Sequence, residues 1–233
     1  MKKLLEKLIQ TLKKDKNYTF STDISVYDSL IVIFHRIKQL TRGIFLKPFV
    51  KSSGLLFVGS RTSLYHKNHM SFGKNSIIDD NVYINAFSEN GFRVGNNFSI
   101  SRNSIIVCSG VIRNKGVGIK IGDNTGINAR AFLGGQGGIE IGDHVIIGPD
   151  VKIFSENHIF SSLEVIIKDQ GESRKGVKIR NNCWIGAGAV ILDGVEIGEG
   201  CVIAAGSVVN KSFPSNSIIG GVPAKLIKER TNE

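Results

Sequence analysis

The chain has 233 residues, 41% of them hydrophobic, with 27 glycines and four prolines, which excludes a disordered or collagen-like chain and allows one large domain or a repeat array with an appendage. Thirty Lys and Arg against twenty Asp and Glu leave a formal net charge of +10, which points to an anionic partner: nucleic acid, a membrane surface or a phosphorylated ligand. Three cysteines, Cys108, Cys183 and Cys201, without a CxxC pair argue against a disulfide frame or zinc knuckle and fit a reducing compartment.

The positive charge is concentrated at the start, where residues 1 to 51 hold eleven Lys or Arg and four Asp or Glu. Leu4, Leu5, Leu8, Ile9 and Leu12 recur at helical spacing among Lys2, Lys3, Lys7, Lys13 and Lys14, and a second apolar-periodic stretch runs from about Val26 to Leu40 with Gly43 as its stop. Residues 1 to 53 are therefore expected to form a basic helical segment. Its longest apolar run, LIVIF at 30 to 34, is far below the roughly 20 residues of a membrane-spanning helix. No small-residue cleavage site follows an apolar core, so a cytoplasmic, non-secreted protein is expected.

From residue 54 to 214 the sequence keeps a beat of six. Ile or Val stands at 179, 185, 191, 197, 203 and 209, in hexads that read IRNNCW, IGAGAV, ILDGVE, IGEGCV, IAAGSV and VNKSFP. The beat also runs at 141, 147 and 153, at 121, 127 and 133, at 94, 100 and 106, and at 72, 78 and 84. A period of six fits neither a helix nor a single strand. It fits an all-β solenoid, a triangular coil of short parallel strands with about eighteen residues per turn and aliphatic side chains stacked inside. Glycine at the second place of a hexad is expected to supply corner conformations that a Cβ would resist. Cys183 and Cys201 then sit one above the other, as core residues. The open end of such a coil needs covering, so the N-terminal helices have two readings: an end cap, or a basic amphipathic segment of residues 1 to 40 resting peripherally on an anionic inner membrane.

After His158 the hexads lapse until Ile179, and the polar stretch between, 159 to 178, is expected as a loop thrown out from a coil corner, where binding and catalysis concentrate. With NH at 157 to 158, NNCWIGAGAVIL at 181 to 192 and GGVPAKLIKER at 220 to 230, the chain resembles the hexapeptide-repeat acyltransferases, whose fold is the left-handed parallel β-helix. The likeness is nearest to sugar O-acetyltransferases of the galactoside and maltose type. It implies acetyl-CoA as donor, a sugar or glycan acceptor, a homotrimer with active sites between subunits, and neither a metal nor nucleic acid. The expected function is O-acetylation of a sugar in a bacterial surface polysaccharide or its precursor. N-acetylation of a nucleotide-linked amino sugar and a non-catalytic scaffold are the alternatives.

On the resemblance, His158 is the general base, although a corner histidine is also an ordinary polar residue. Asn128 faces the acceptor, or satisfies corner backbone groups. Glu156 and Asn157 orient the imidazole or bind sugar hydroxyls, with Asn157 at an inward hexad place where a structural hydrogen bond is as good a reading. Trp184 points outward and stacks on a sugar or pantetheine, or is covered by a neighbouring subunit. The low wall of Gly186, Ala187, Gly188, Ala204, Ala205 and Gly206 implies pantetheine contacts, and the Ala187 region an oxyanion N–H. Asn210, Lys211, Lys225 and Lys228 imply nucleotide and phosphate contacts, the last two in a tail at 215 to 233. A zinc hydratase on the same fold would need three clustered histidines, and His35, His66, His69, His144 and His158 are too scattered along the chain.

Overall fold

A computed structural model describes residues 2–13, 16–17, 19–20 and 24–231. The side chains of Leu4, Leu5, Leu8 and Leu12, on which the amphipathic reading of the first helix rests, lie outside the described residues, as do those of Lys2, Lys13 and Lys14. Helix α1 spans Lys2–Lys13 and α2 spans Val26–Leu46. The Ser25 hydroxyl accepts from the Asp28 N–H at 3.0 Å and caps the start of α2.

Beyond α2 the chain winds into a three-sided coil of parallel strands. The first face runs from Lys51–Ser52 to Glu196–Ile197, the second from Leu56–Val58 through Ser217–Gly221 to Ala224–Glu229, and the third from Ser63–Tyr65 to Val208–Val209. The aliphatic beat is the core. Ile78, Ile100, Ile127, Ile147, Ile185 and Ile203 stack on the second face, and Ile84, Ile106, Leu133, Ile153, Ile191 and Val209 on the third, all buried. Each stabilises the fold by roughly 1.5–3 kcal/mol when taken out of water. All three cysteines are buried, and burial pushes the Cys108 thiol up to about 12.

The residues inserted between the hexad blocks lie at the corners of the coil, and one expectation, on the role of second-place glycine, needs correction. Turns of eighteen residues hold from Ile185 to Ile203, but Ile100 pairs with Ile127 and Ile147 with Ile185, so extra residues leave at the corners without shifting the stack. The left-handed corner conformation belongs to the fourth hexad place: Asn97, Asn124, His144, Asn182 and Gly188 have φ between 54° and 67°. Asparagine tolerates that region through local hydrogen bonds, and Asn75, Asn97 and Asn124 form a ladder of side-chain amides. Second-place glycine serves close stacking instead: a Cβ on Gly186 would lie 2.5 Å from Ala205 N and 2.7 Å from Ile203 O.

Both ends of the coil are covered. Gly43 of α2 lies against the Leu56 carbonyl, so closely that a Cβ would overlap it, and the Gln39 amide donates to Asp79 Oδ1 at 3.0 Å. At the other end Ser217–Gly221 continues the second face in parallel, and Ala224–Glu229 returns antiparallel to it.

Candidate active site

Ser155 is the last residue of its coil to face inward. Its hydroxyl donates to Gly134 O at 2.7 Å and accepts from Gly137 N at 2.9 Å, which satisfies a buried polar group at the corner between the third and first faces. The chain then leaves. Asn157–His158 pairs antiparallel with Glu172–Ser173 to form a hairpin, and the coil resumes at Val177–Ile179. The excursion therefore starts two residues before the expected loop. Asn157 is exposed rather than inward, because the backbone has already turned away from the stack.

Arg174 braces this hairpin. Its guanidinium donates to Glu156 Oε2 at 2.7 Å and to Asn114 Oδ1 at 2.8 Å. The Asn114 amide in turn donates to Glu172 Oε2 at 3.1 Å. Glu156 and Arg174 are 22% and 17% exposed, a half-sheltered pair that ties the hairpin to a second excursion, residues 109 to 116, which leaves the same edge two coils earlier. The carboxylate of Glu156 is thus engaged with Arg174, and His158 is left exposed with no side-chain partner among the described residues. Arg174→Ala leaves a partly buried carboxylate unpaired, a loss of about 1–3 kcal/mol. The Ile159 N–H, which donates to Gly171 O at 3.0 Å, should then exchange with deuterium about tenfold faster while core amides such as Gly186 keep their protection.

A second set of residues occupies the edge between the second and third faces. Asn128, Gly148, Gly186, Ala204 and Gly220 stack there, with Asn128 N, Gly148 N, Gly186 N and Ala204 N each donating to the next coil. The Asn128 amide is also committed, to Ile147 O at 3.0 Å. Ala187 and Ala205 stand outside this column, exposed, and their N–H groups have no acceptor among the described residues. Trp184 is 55% exposed on the second face three residues before Ala187. Lys225 and Lys228 lie on the closing strand of the same face, opposite Gly220 and Ile218.

Asn210 and Lys211 follow Val208–Val209 and so belong to the other edge, with His158. The predicted residues therefore divide into two groups: His158, Glu156, Asn157, Asn210 and Lys211 on one edge, and Asn128, Gly186, Ala187, Ala204, Ala205, Trp184, Lys225 and Lys228 on or beside the other. Six residues at about 3.3 Å each put the edges roughly 20 Å apart within one chain. Arg174 and the 109 to 116 excursion escaped the sequence reading. The signal for the excursion was the overlong gap between Ile106 and Ile121.

A family model described as bacterial transferase hexapeptide (six repeats) matches residues 176–211. The galactoside O-acetyltransferase of Escherichia coli is 36% identical over 115 residues, 49% of this chain and 55% of that protein. The galactoside O-acetyltransferase of Lactococcus lactis is 36% identical over 95 residues, 41% of this chain and 45% of that protein. The chain thus spans about half the length of the curated relatives it matches. Among solved structures, a mutant of AntD, an N-acyltransferase from Bacillus cereus in complex with dTDP-4-amino-4,6-dideoxyglucose and coenzyme A, superposes with a TM-score of 0.54 at 24% identity, covering 82% of this chain and 90% of that one. By repeat, coil and structural likeness together, the chain is a left-handed parallel β-helix of hexapeptide repeats, and its residues 176–211 are similar to the hexapeptide transferases.

Proposed function

We propose that the protein transfers an acetyl group from acetyl-CoA to a hydroxyl of a sugar, in a bacterial surface polysaccharide or its precursor, with His158 as general base. One observation carries this reading. A rigid coil presents an exposed histidine, unpartnered among the described residues, on a braced hairpin at one edge, and at the other a low alanine-lined ledge whose N–H groups have no acceptor among them. The ledge suits a long, thin pantetheine arm, whose amides need partners and whose chain needs a wall without side chains. Lys225 and Lys228 beside it supply positive charge for phosphates.

Acetyl-CoA supplies the thioester as activated donor. The neutral imidazole of His158 takes the proton of the acceptor hydroxyl as that oxygen attacks the thioester carbonyl. The N–H of Ala187 meets the developing oxyanion. When the tetrahedral intermediate collapses, the carbon–sulfur bond breaks and the imidazolium returns the proton to the departing thiolate.

A base and an oxyanion donor about 20 Å apart cannot serve one reaction, so the site is built between copies. Three chains with their third faces turned toward a common axis bring the His158 edge of one to the Ala187 edge of the next. Tyr65, Ile105, Phe132 and Val190 make the outside of that third face mostly apolar, with Lys152 the charged residue in the same column, whereas Arg93, Lys120, Glu140 and Lys178 make the first face charged. Phe160, Leu163 and Ile166, exposed on the hairpin, are then covered by a neighbour.

Thiol release from acetyl-CoA, measured against defined glycans, nucleotide-linked sugars and nucleotide-linked amino sugars, tests the proposal. Turnover with hydroxyl acceptors is the expected result. Turnover confined to amino acceptors would convert the reading to N-acetyl transfer, and a calorimetric titration without heat of CoA binding would leave a non-catalytic scaffold.

A further inference from the structure

Helix α2 is turned the opposite way from an ordinary surface helix. The residues it buries are mostly polar or small, Ser29, Gln39 and Gly43, with Leu46 the buried aliphatic residue and Ile33 and Leu40 half-buried beside them. Its outward side carries Tyr27, Leu30, Ile31, Phe34, Ile37 and Phe45, at the i, i+3, i+4, i+7 spacing of one helical face. Phe34 is 59% and Phe45 79% exposed, and nothing among the described residues covers the stripe. Contiguous apolar surface on this scale marks a contact with something outside the chain.

The charges around the stripe select the partner. Lys38 Nζ lies 4.3 Å from the Phe34 ring centroid, and Lys67 Nζ 5.5 Å from that of Phe49. The stripe runs into a cavity of about 370 Å³ lined by Arg42, Phe45, Phe49, Arg61, Leu64 and Lys67, in which Arg42 also reaches Val58 O at 3.5 Å. Cations rim an aromatic floor. The nearby carboxylates are engaged elsewhere: Asp28 with Ser25, Asp79 with Gln39 and Asp80 with Ser60. A second copy meeting this face about a twofold axis would set these cations against themselves. An anionic lipid surface matches both features, with acyl chains for the stripe and headgroup phosphates for the rim.

We propose that α2 and the adjoining cavity dock the protein on an anionic bilayer surface, with α2 lying in the interface and the coil standing away from it. The contact is peripheral, since among the described residues no helix is long and apolar enough to cross a membrane. The proposal does not depend on acetyl transfer, and its test is read without turnover. The full chain is sedimented with phosphatidylcholine vesicles and with vesicles containing 30% phosphatidylglycerol, alongside Ile31→Ser/Phe34→Ser and Lys38→Gln/Lys67→Gln.

The expected result is binding to the anionic vesicles that weakens with salt. The serine pair should weaken it at least tenfold, and the glutamine pair about fivefold per lysine. Unchanged thermal unfolding of both variants shows that the coil is intact. Equal sedimentation of wild type and the serine pair, or equal binding to neutral vesicles, overturns the proposal. So does failure of the wild type to bind either vesicle together with a concentration-dependent increase in sedimentation coefficient that the serine pair removes, which would assign the stripe to a second copy.

Discussion

His158→Ala is expected to lower kcat for acetyl transfer by about 10²- to 10⁴-fold, the usual range for removing a general base. The size follows from the edge on which it stands. Asn157, Asn210 and Lys211 share that edge, and neither an amide nor an ammonium serves as a proton acceptor; Glu156 is held by Arg174. Glu172, opposite His158 in the hairpin, accepts from the Asn114 amide and so is engaged as well. The folded state should be untouched, because His158 is exposed, belongs to the hairpin and contributes nothing to the stacked core. Thiol-release kinetics and thermal unfolding on the same preparations separate the two effects. Turnover within a few-fold of wild type would remove His158 from the reaction, and a large fall in melting temperature would make it structural.

The second large effect is a rescue. His158→Ala removes the base from one edge, and Ala187→Trp fills the ledge on the other; each alone is expected to be inactive. If every site draws on two chains, unfolding the variants together at equal amounts and refolding them restores some sites with both wild-type edges. The chance is one half that the edge with the base is intact and one half for the ledge, so activity should return to about a quarter of wild type when copies assort randomly in closed rings. A site contained in one chain returns none. Refolding each variant separately and then mixing is the control, and equal inactivity in both preparations would show that the edges do not cooperate between copies.

Much of the architecture could be read from the spacing of aliphatic residues because the coil repeats one physical requirement: an inward side chain at the middle of each short strand. Ile185, Ile191, Ile197 and Ile203 are where the period places them. The point at which the chain leaves the coil was also legible, since polar residues replace the beat after Ile153. What escaped depends on contacts between distant segments. The role of Gly186 is set by atoms of Ala205 and Ile203 on the next coil, which periodicity does not reveal. Asn157 keeps the hexad phase yet lies outside the stack, because pairing with Ser173 pulls it into the hairpin. Arg174 gains its meaning from Asn114, sixty positions earlier. The separation of His158 from Ala187 emerges only after each strand is assigned to a face. The outward stripe of α2 has the same spacing as a buried one, and only the docking of Gly43 on Leu56 distinguishes them.

Coil stacking also fixes a height. Leu64, Ile84, Ile106, Leu133 and Ile153 climb the third face one coil at a time from the end that α2 covers. Neighbouring strands are about 4.8 Å apart, so the base of the His158 hairpin stands on the order of 20 Å above the α2 end. With α2 on a bilayer, that is the reach an acceptor must have from the lipid headgroups to meet the imidazole. Excursions such as 109 to 116 leave sideways and do not alter this distance, whereas adding or deleting one full coil would move the histidine by a single strand spacing.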